Sequence, residues 1–320
     1  MLDQYEMESF FDEMMENKAQ PKPHYEHFYQ MLRRFSIDNL HEKNETAQLS
    51  FLRKGITFTV YNDTVGTERT MPFDFVPIII PSENWQRIEK GMKQRVKALN
   101  LFLEDIYRNQ EIIKDGIIPG ELVEQNPYYY REQASGLDIP YQNHIFLAGI
   151  DLIRDEHGEY RVLEDNLRNP SGLSYVFQNR YVMRQVYPEL FFEHAIETLE
   201  HQLSELHQAL MAHVPANSTS PDNPCAVLLT PGSYNSAYYD HVFLAQQMGI
   251  ELVEGRDLLV RDDVVYMKTI RGLKRVDIIY RRIDDDFLDP DAFDPKSVLG
   301  VRGLLNAYRK GNVAIVNGIG

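Results

Sequence analysis

A single cysteine in 320 residues leaves Cys225 without a partner in its own chain, so no disulfide framework is available and a reducing compartment, the cytoplasm, is expected. No stretch approaches the ~18 consecutive apolar residues of a membrane-spanning helix. The opening Met1-Leu2-Asp3-Gln4-Tyr5-Glu6 lacks the basic-then-apolar pattern of a signal peptide. Positive charge is also scarce: 33 Lys plus Arg face 48 Asp plus Glu, a net charge of -15. A surface that negative repels nucleic-acid backbones and anionic lipid headgroups, so neither is an expected partner. Any polyanionic ligand needs a local basic cluster and a bound cation. The ten histidines show no H-E-x-x-H or H-x-x-E-H spacing, which leaves a zinc hydrolase without support.

What is present is the balance of a folded protein: 43% apolar and 25% charged residues. The length suits about two domains of ordinary size. Residues 1–50 read as a helical leader, with apolar residues at helical spacing in Phe10, Phe11, Met14 and Met15 and again in Tyr25, Phe28, Met31 and Leu32. From Ile56 the pattern alternates as in a strand and meets turn chemistry at Asn62-Asp63-Thr64-Val65-Gly66. Ser82 and Glu83 open a long helix whose apolar face runs through Trp85, Ile88, Met92, Val96, Leu99, Leu103 and Ile106. Further helices are expected from Gly172 and over 191–212. The Pro, Asn and Ser stretch 215–224 reads as a domain boundary. Beyond it, 226–229, 237–248 and 250–253 form a βαβ unit, and 264–270 with 276–280 a hairpin. The last residues run from an apolar strand into a glycine turn, which is the expected appearance of a cut inside a longer protein.

Chemistry concentrates between Ile145 and Asn166, where two strands flank Asp155-Glu156-His157-Gly158, a strong hairpin signal. With an even turn, Asp151 faces Val162 and shares a face with Glu164 and Asn166; an odd turn splits them. Two carboxylates and an amide oxygen suit magnesium, which prefers oxygen ligands and keeps several waters. For an arbitrary trio of such residues on a hairpin, a plain solvated face is the commoner reading, and spacing alone does not decide against it. The continuation Leu167-Arg168-Asn169-Pro170-Ser171-Gly172 favours the functional reading, because it sets a guanidinium and a tight turn beside the carboxylates.

Arg281 and Arg282 end a strand, followed by Asp284, Asp285 and Asp286. Ligands of open α/β sheets bind at such strand ends, although a solvated charged loop reads as well. The aspartates fit a helix-initiating loop better than a second metal site. Pro231 to Ser236 lacks both G-x-G-x-x-G and a Walker Gly-Lys pair and reads as a turn.

The blocks ENWQRIEKGMKQRVKALNLFLEDIY, GIDLIRDEHGEYRVLEDNLRNPSGLSYVFQNR and YRRIDDDFLDP resemble the circularly permuted ATP-grasp type 2 proteins related to glutathionylspermidine synthase. The resemblance runs from about residue 55 to the end. It implies a mixed α/β fold in which an ATP-grasp metal-binding part (51–214) precedes a Rossmann-like pre-ATP-grasp domain (215–320). A nucleotide-clamping half would then follow, and it lies outside this sequence. The implied activity is ATP-dependent carboxylate-amine ligation through an acyl phosphate, joining small-molecule or peptide acids and amines. Asp151, Glu164 and Asn166 would hold Mg2+, Arg168 and Ser171 would contact the nucleotide or acyl group, and Arg281 and Arg282 the substrate. The alternative is a degenerate scaffold that binds a peptide or protein partner without chemistry.

Overall fold

The computed structural model describes residues 5, 7, 10–62 and 65–320, so residues 1–4, 6, 8 and 9, and the Asp63-Thr64 part of the turn expected from the sequence, lie outside the described residues. The fold is mixed α/β, with helices interspersed among several small sheets. Among the described residues no helix is long and apolar enough to cross a membrane. The chain divides into two compact units, each discontinuous in sequence.

The first unit comprises Met1–Met92, Ile150–Asp165 and Gly172–Thr198. The helix expected around Phe10 to Met15 is not formed. The Asp12 carboxylate accepts the Met14 and Met15 amides at 2.8 and 2.7 Å, which turns the chain into a short antiparallel ribbon, Met15–Asn17 with Gln20–Pro21. Helix Glu26–Arg34 follows as expected, then Ile37–Arg53, started by a capping box at Ser36 and Asn39. The buried faces of these helices, through Phe28, Leu32, Ala47 and Phe51, build one core with Val182, Val186 and Tyr187 of helix Leu173–Val186 and its end. Phe28 meets the Tyr187 ring edge-on at 5.4 Å. The expected strand, Thr57–Asn62, pairs antiparallel with a second one, Val65–Thr70, which takes in Val65 and Gly66 of the expected turn.

The second unit comprises Lys93–Gly149, Asn166–Ser171 and Leu199–Gly320. Its centre is a parallel sheet with strand order Ala314–Val316, Ile278–Arg281, Ala226–Leu229, Glu251–Val253. All four residues of Ala226–Leu229 and of Ile278–Arg281 are buried, as central parallel strands require. Two expectations are corrected here. Val264–Thr269 pairs with Gly272–Arg275 instead of with 276–280, and with Leu258–Arg261 it makes a separate antiparallel sheet. The apolar run Ile278–Arg281 is drawn into the parallel sheet because that position buries every side chain. The helix expected over 191–212 is broken into Pro188–Glu193, in the first unit, and Gln202–Met211, in the second.

Candidate functional site

The hairpin carrying the expected metal ligands is formed by Gly149–Arg154 and Tyr160–Asn166. Its turn differs from the even one assumed. The Asp155 amide donates to the Glu159 carbonyl at 3.0 Å and the Gly158 amide to the Asp155 carbonyl at 2.9 Å, enclosing three residues. Gly158 sits at φ +79°, the bulge position of such a turn. The Asp155 carboxylate fixes the loop by accepting the His157 and Glu159 amides and Arg161 Nε. Arg161 and these amides hold the Asp155 carboxyl below its ordinary range.

An odd turn alone separates Asp151 from Glu164. Asp151 and Ile153 are exposed on the first strand, and Arg161, Leu163 and Glu164 on the second. Leu163 and Glu164 are both exposed, so strict alternation is not kept at that point, and the Glu164 carboxyl lies beside that of Asp151. The two side chains are hydrogen-bonded. Desolvation first, then the hydrogen bond and charge of Glu164, push the Asp151 carboxyl up from its ordinary value. Two carboxyls placed this close fit a divalent cation, which removes their repulsion on binding. Among the described residues no group of three or more His, Cys, Asp or Glu could hold a metal ion; magnesium commonly takes one or two carboxylates plus nucleotide oxygens.

Asn166 starts the segment Asn166–Ser171, which belongs to the second unit, whereas Asp151 and Glu164 belong to the first. Within the second unit, the Arg168 guanidinium lies 4.7 Å from the Tyr128 ring centroid. It also stands 3.5 Å from Asp284 and 3.9 Å from Asp285, distances that hold it loosely. Asn169 donates to Asp284 at 2.8 Å, and Ser171 is exposed at the end of the segment. Tyr130 donates to Asp286 at 2.6 Å; burial and this carboxylate raise the phenol above its ordinary value. Asp284 to Asp286 begin a short helix, Asp285–Leu288, as the helix-initiating reading expected.

Arg281 and Arg282 stand where the parallel sheet reverses its winding order, since Ala226–Leu229 leads to one neighbour and Ile278–Arg281 lies on its other side. Arg281 is fully buried. Its donors reach the carbonyls of Asn317, Ile283 and Gly318, and its guanidinium pairs with Asp285 at 2.9 Å. Arg282 bonds the Pro170 carbonyl, Tyr280 and Asp240, while its Nε is buried without a hydrogen-bond partner. Sequence reasoning missed Tyr128, Asp240 and Asn317, which sit in a loop, a helix and a strand end with no motif around them. Only the Asn317-Gly318 pair, a turn signal after a buried strand, hinted at a special backbone position.

The family described as circularly permuted ATP-grasp type 2 matches residues 77–320. An uncharacterized protein of Synechocystis sp. is 46% identical over 319 residues, covering all of this chain and 66% of that protein. An uncharacterized protein of Mycobacterium tuberculosis is 47% identical, covering 97% of this chain and 55% of its own length. A Frankia alni protein named "Putative glutamate--cysteine ligase 2-3" is 38% identical, covering 97% of this chain and 35% of that protein. The chain thus spans about two thirds or less of the relatives it matches. On this evidence the chain belongs to the circularly permuted ATP-grasp type 2 family.

Proposed function

We propose that the protein is an ATP-dependent carboxylate-amine ligase in which Asp151 and Glu164, together with Asn166, hold Mg2+. The observation that carries this reading is the hydrogen-bonded pair of outward carboxyls on the Gly149–Asn166 hairpin. Family membership and the ligase name of the Frankia relative support the reaction class. Bound there, magnesium would neutralise charge on the transferred phosphoryl group.

In the proposed reaction a substrate carboxylate oxygen attacks the γ-phosphorus of ATP, the bond to the bridging oxygen breaks, and ADP leaves. The acyl phosphate is then attacked by an amine, which forms the amide and releases phosphate and a proton. Arg168, loosely held and 32% exposed at its side chain, would stabilise negative charge on the phosphoryl or acyl group, with Ser171 lining the same segment. Arg282 retains an unspent Nε donor for a substrate carboxylate, whereas every polar group of Arg281 is engaged inside the unit.

The test is trapping by hydroxylamine, with full-length protein, MgATP and a panel of amino acids. Glutamate comes first because of the Frankia relative's name. ADP release with hydroxamate formation, both lost in Glu164→Gln, is the expected result. No turnover and no magnesium-dependent nucleotide binding would favour a scaffold that binds a peptide or protein partner without chemistry.

A further inference from the structure

Asn317 ends the strand Ala314–Val316 and is 2% exposed. Its side-chain oxygen accepts the amides of Phe146 and Leu147 at 2.7 and 2.8 Å. Its side-chain nitrogen donates to the carbonyls of Leu147, Leu167 and Arg168 at 2.8, 2.6 and 3.1 Å. An amide has two N–H groups and two acceptor sites, so these five contacts saturate it, with one proton shared. This one side chain ties two other segments of the second unit to the strand end that carries it, and one of them is the backbone of Arg168.

The rest of the segment is fastened around the same point. Arg282 bonds the Pro170 carbonyl, Asn169 bonds Asp284, and a Cβ at Gly149 would lie 2.9 Å from the Pro170 side chain, so the backbones are in close contact there. Arg281 in turn donates to the Asn317 carbonyl at 3.0 Å and pairs with Asp285. Among the described residues, the Arg168 side chain is met by the Tyr128 ring and two long ion pairs. Its direction is therefore set from the backbone, and the backbone is set by Asn317.

We infer that Asn317 is the positioning residue for Arg168, and that buried Arg281 acts on the reaction only by bracing Asn317. The inference rests on the proposed role of Arg168. It separates two kinds of residue at this strand end: Arg168 touches the reacting group, while Asn317 holds Arg168 where it can do so. A displacement of about 1 Å at a charge-stabilising group costs on the order of 10²-fold in rate. Asparagine is suited to this place because neither aspartate nor serine supplies both paired donors and paired acceptors in a plane.

The experiment compares Asn317→Ser with wild type in the full-length protein, using two readouts. Asn317→Asp, which sets a carboxylate oxygen against three carbonyls, serves as the more severe companion. Limited trypsin digestion, read by mass spectrometry, should show cleavage after Arg168 accelerated by about tenfold, the expected effect of freeing one buried amide network, with other sites unchanged. In MgATP turnover trapped by hydroxylamine, kcat should fall about tenfold or more while the KM for ATP stays within about threefold. In an Arg168→Ala background the serine substitution should have no further effect.

Unchanged cleavage after Arg168 overturns the inference and leaves the ligase reading intact. So does an equal loss of kcat in the Arg168→Ala background, or digestion accelerated at every site, because each makes Asn317 a general structural residue. If Arg168→Ala alone turns over normally, the reading of Arg168 has failed and the inference falls with it.

Discussion

At Asp151 and Glu164 the physical question is what two carboxyls gain from sharing one face of a ribbon. Desolvation first, then the hydrogen bond and charge of Glu164, raise the Asp151 carboxyl above its ordinary value. Asp151→Asn and Glu164→Gln should therefore leave folding at neutral pH unchanged or slightly improved, by thermal melting, while removing dependence on magnesium. A marked loss of stability in both would instead make the pair structural.

His241 offers a pH test of the surroundings of Arg282. Burial first and Arg282 second hold its imidazole down at about 3, and it shares a 2.8 Å hydrogen bond with Thr230. The unfolded chain takes up a proton below about pH 6.5, whereas the folded chain does so only near the depressed value. Stability present above that pH is lost on acidification, by up to about 1.4 kcal/mol per pH unit across the window. Urea melts at pH 7 and 4.5 should show this slope, and His241→Gln should flatten it.

Residue types were legible at this scale and their surroundings were not. Spacing on an even turn brings Asp151 and Glu164 together in the sequence reading; the turn is odd, and their carboxyls nonetheless lie side by side. Arg281 and Arg282 look alike in the sequence, yet only the fold shows that one has spent its donors and the other has not.

Among elements, the hairpin turn is the part on which the site most depends. Gly158 is held at φ +79°, and a Cβ there would stand 2.3 Å from the Phe11 ring. Gly158→Ala should cost about 1–2 kcal/mol for the left-handed backbone alone, together with weaker magnesium-dependent nucleotide binding. A denaturation midpoint equal to wild type would count against that geometry. Elements with strong local signals were readable: the long helix Ser82–Tyr107, the βαβ unit and the hairpin itself. Those decided by distant partners were not. Ile278–Arg281 has the composition of any buried strand, and its place between Ala226–Leu229 and Ala314–Val316 is chosen by pairing that no local pattern announces.

For the molecule as a whole, the net charge of -15 makes anion binding depend on a local arrangement. Asp151 and Glu164 lie in the first unit, and Arg168 and Asn317 in the second. The segment Asn166–Ser171 belongs with the second unit although the strand leading into it belongs with the first, a division that a linear reading at residues 51, 214 and 215 does not express.

The claim that Asp151 and Glu164 hold the nucleotide's magnesium is tested most directly by calorimetric titration of a non-hydrolysable ATP analogue into full-length protein, with and without Mg2+. Wild type should bind the analogue only when magnesium is present, and Asp151→Asn and Glu164→Gln should each lose that dependence along with at least tenfold in affinity. Magnesium-dependent binding that persists at wild-type strength in both variants would contradict it.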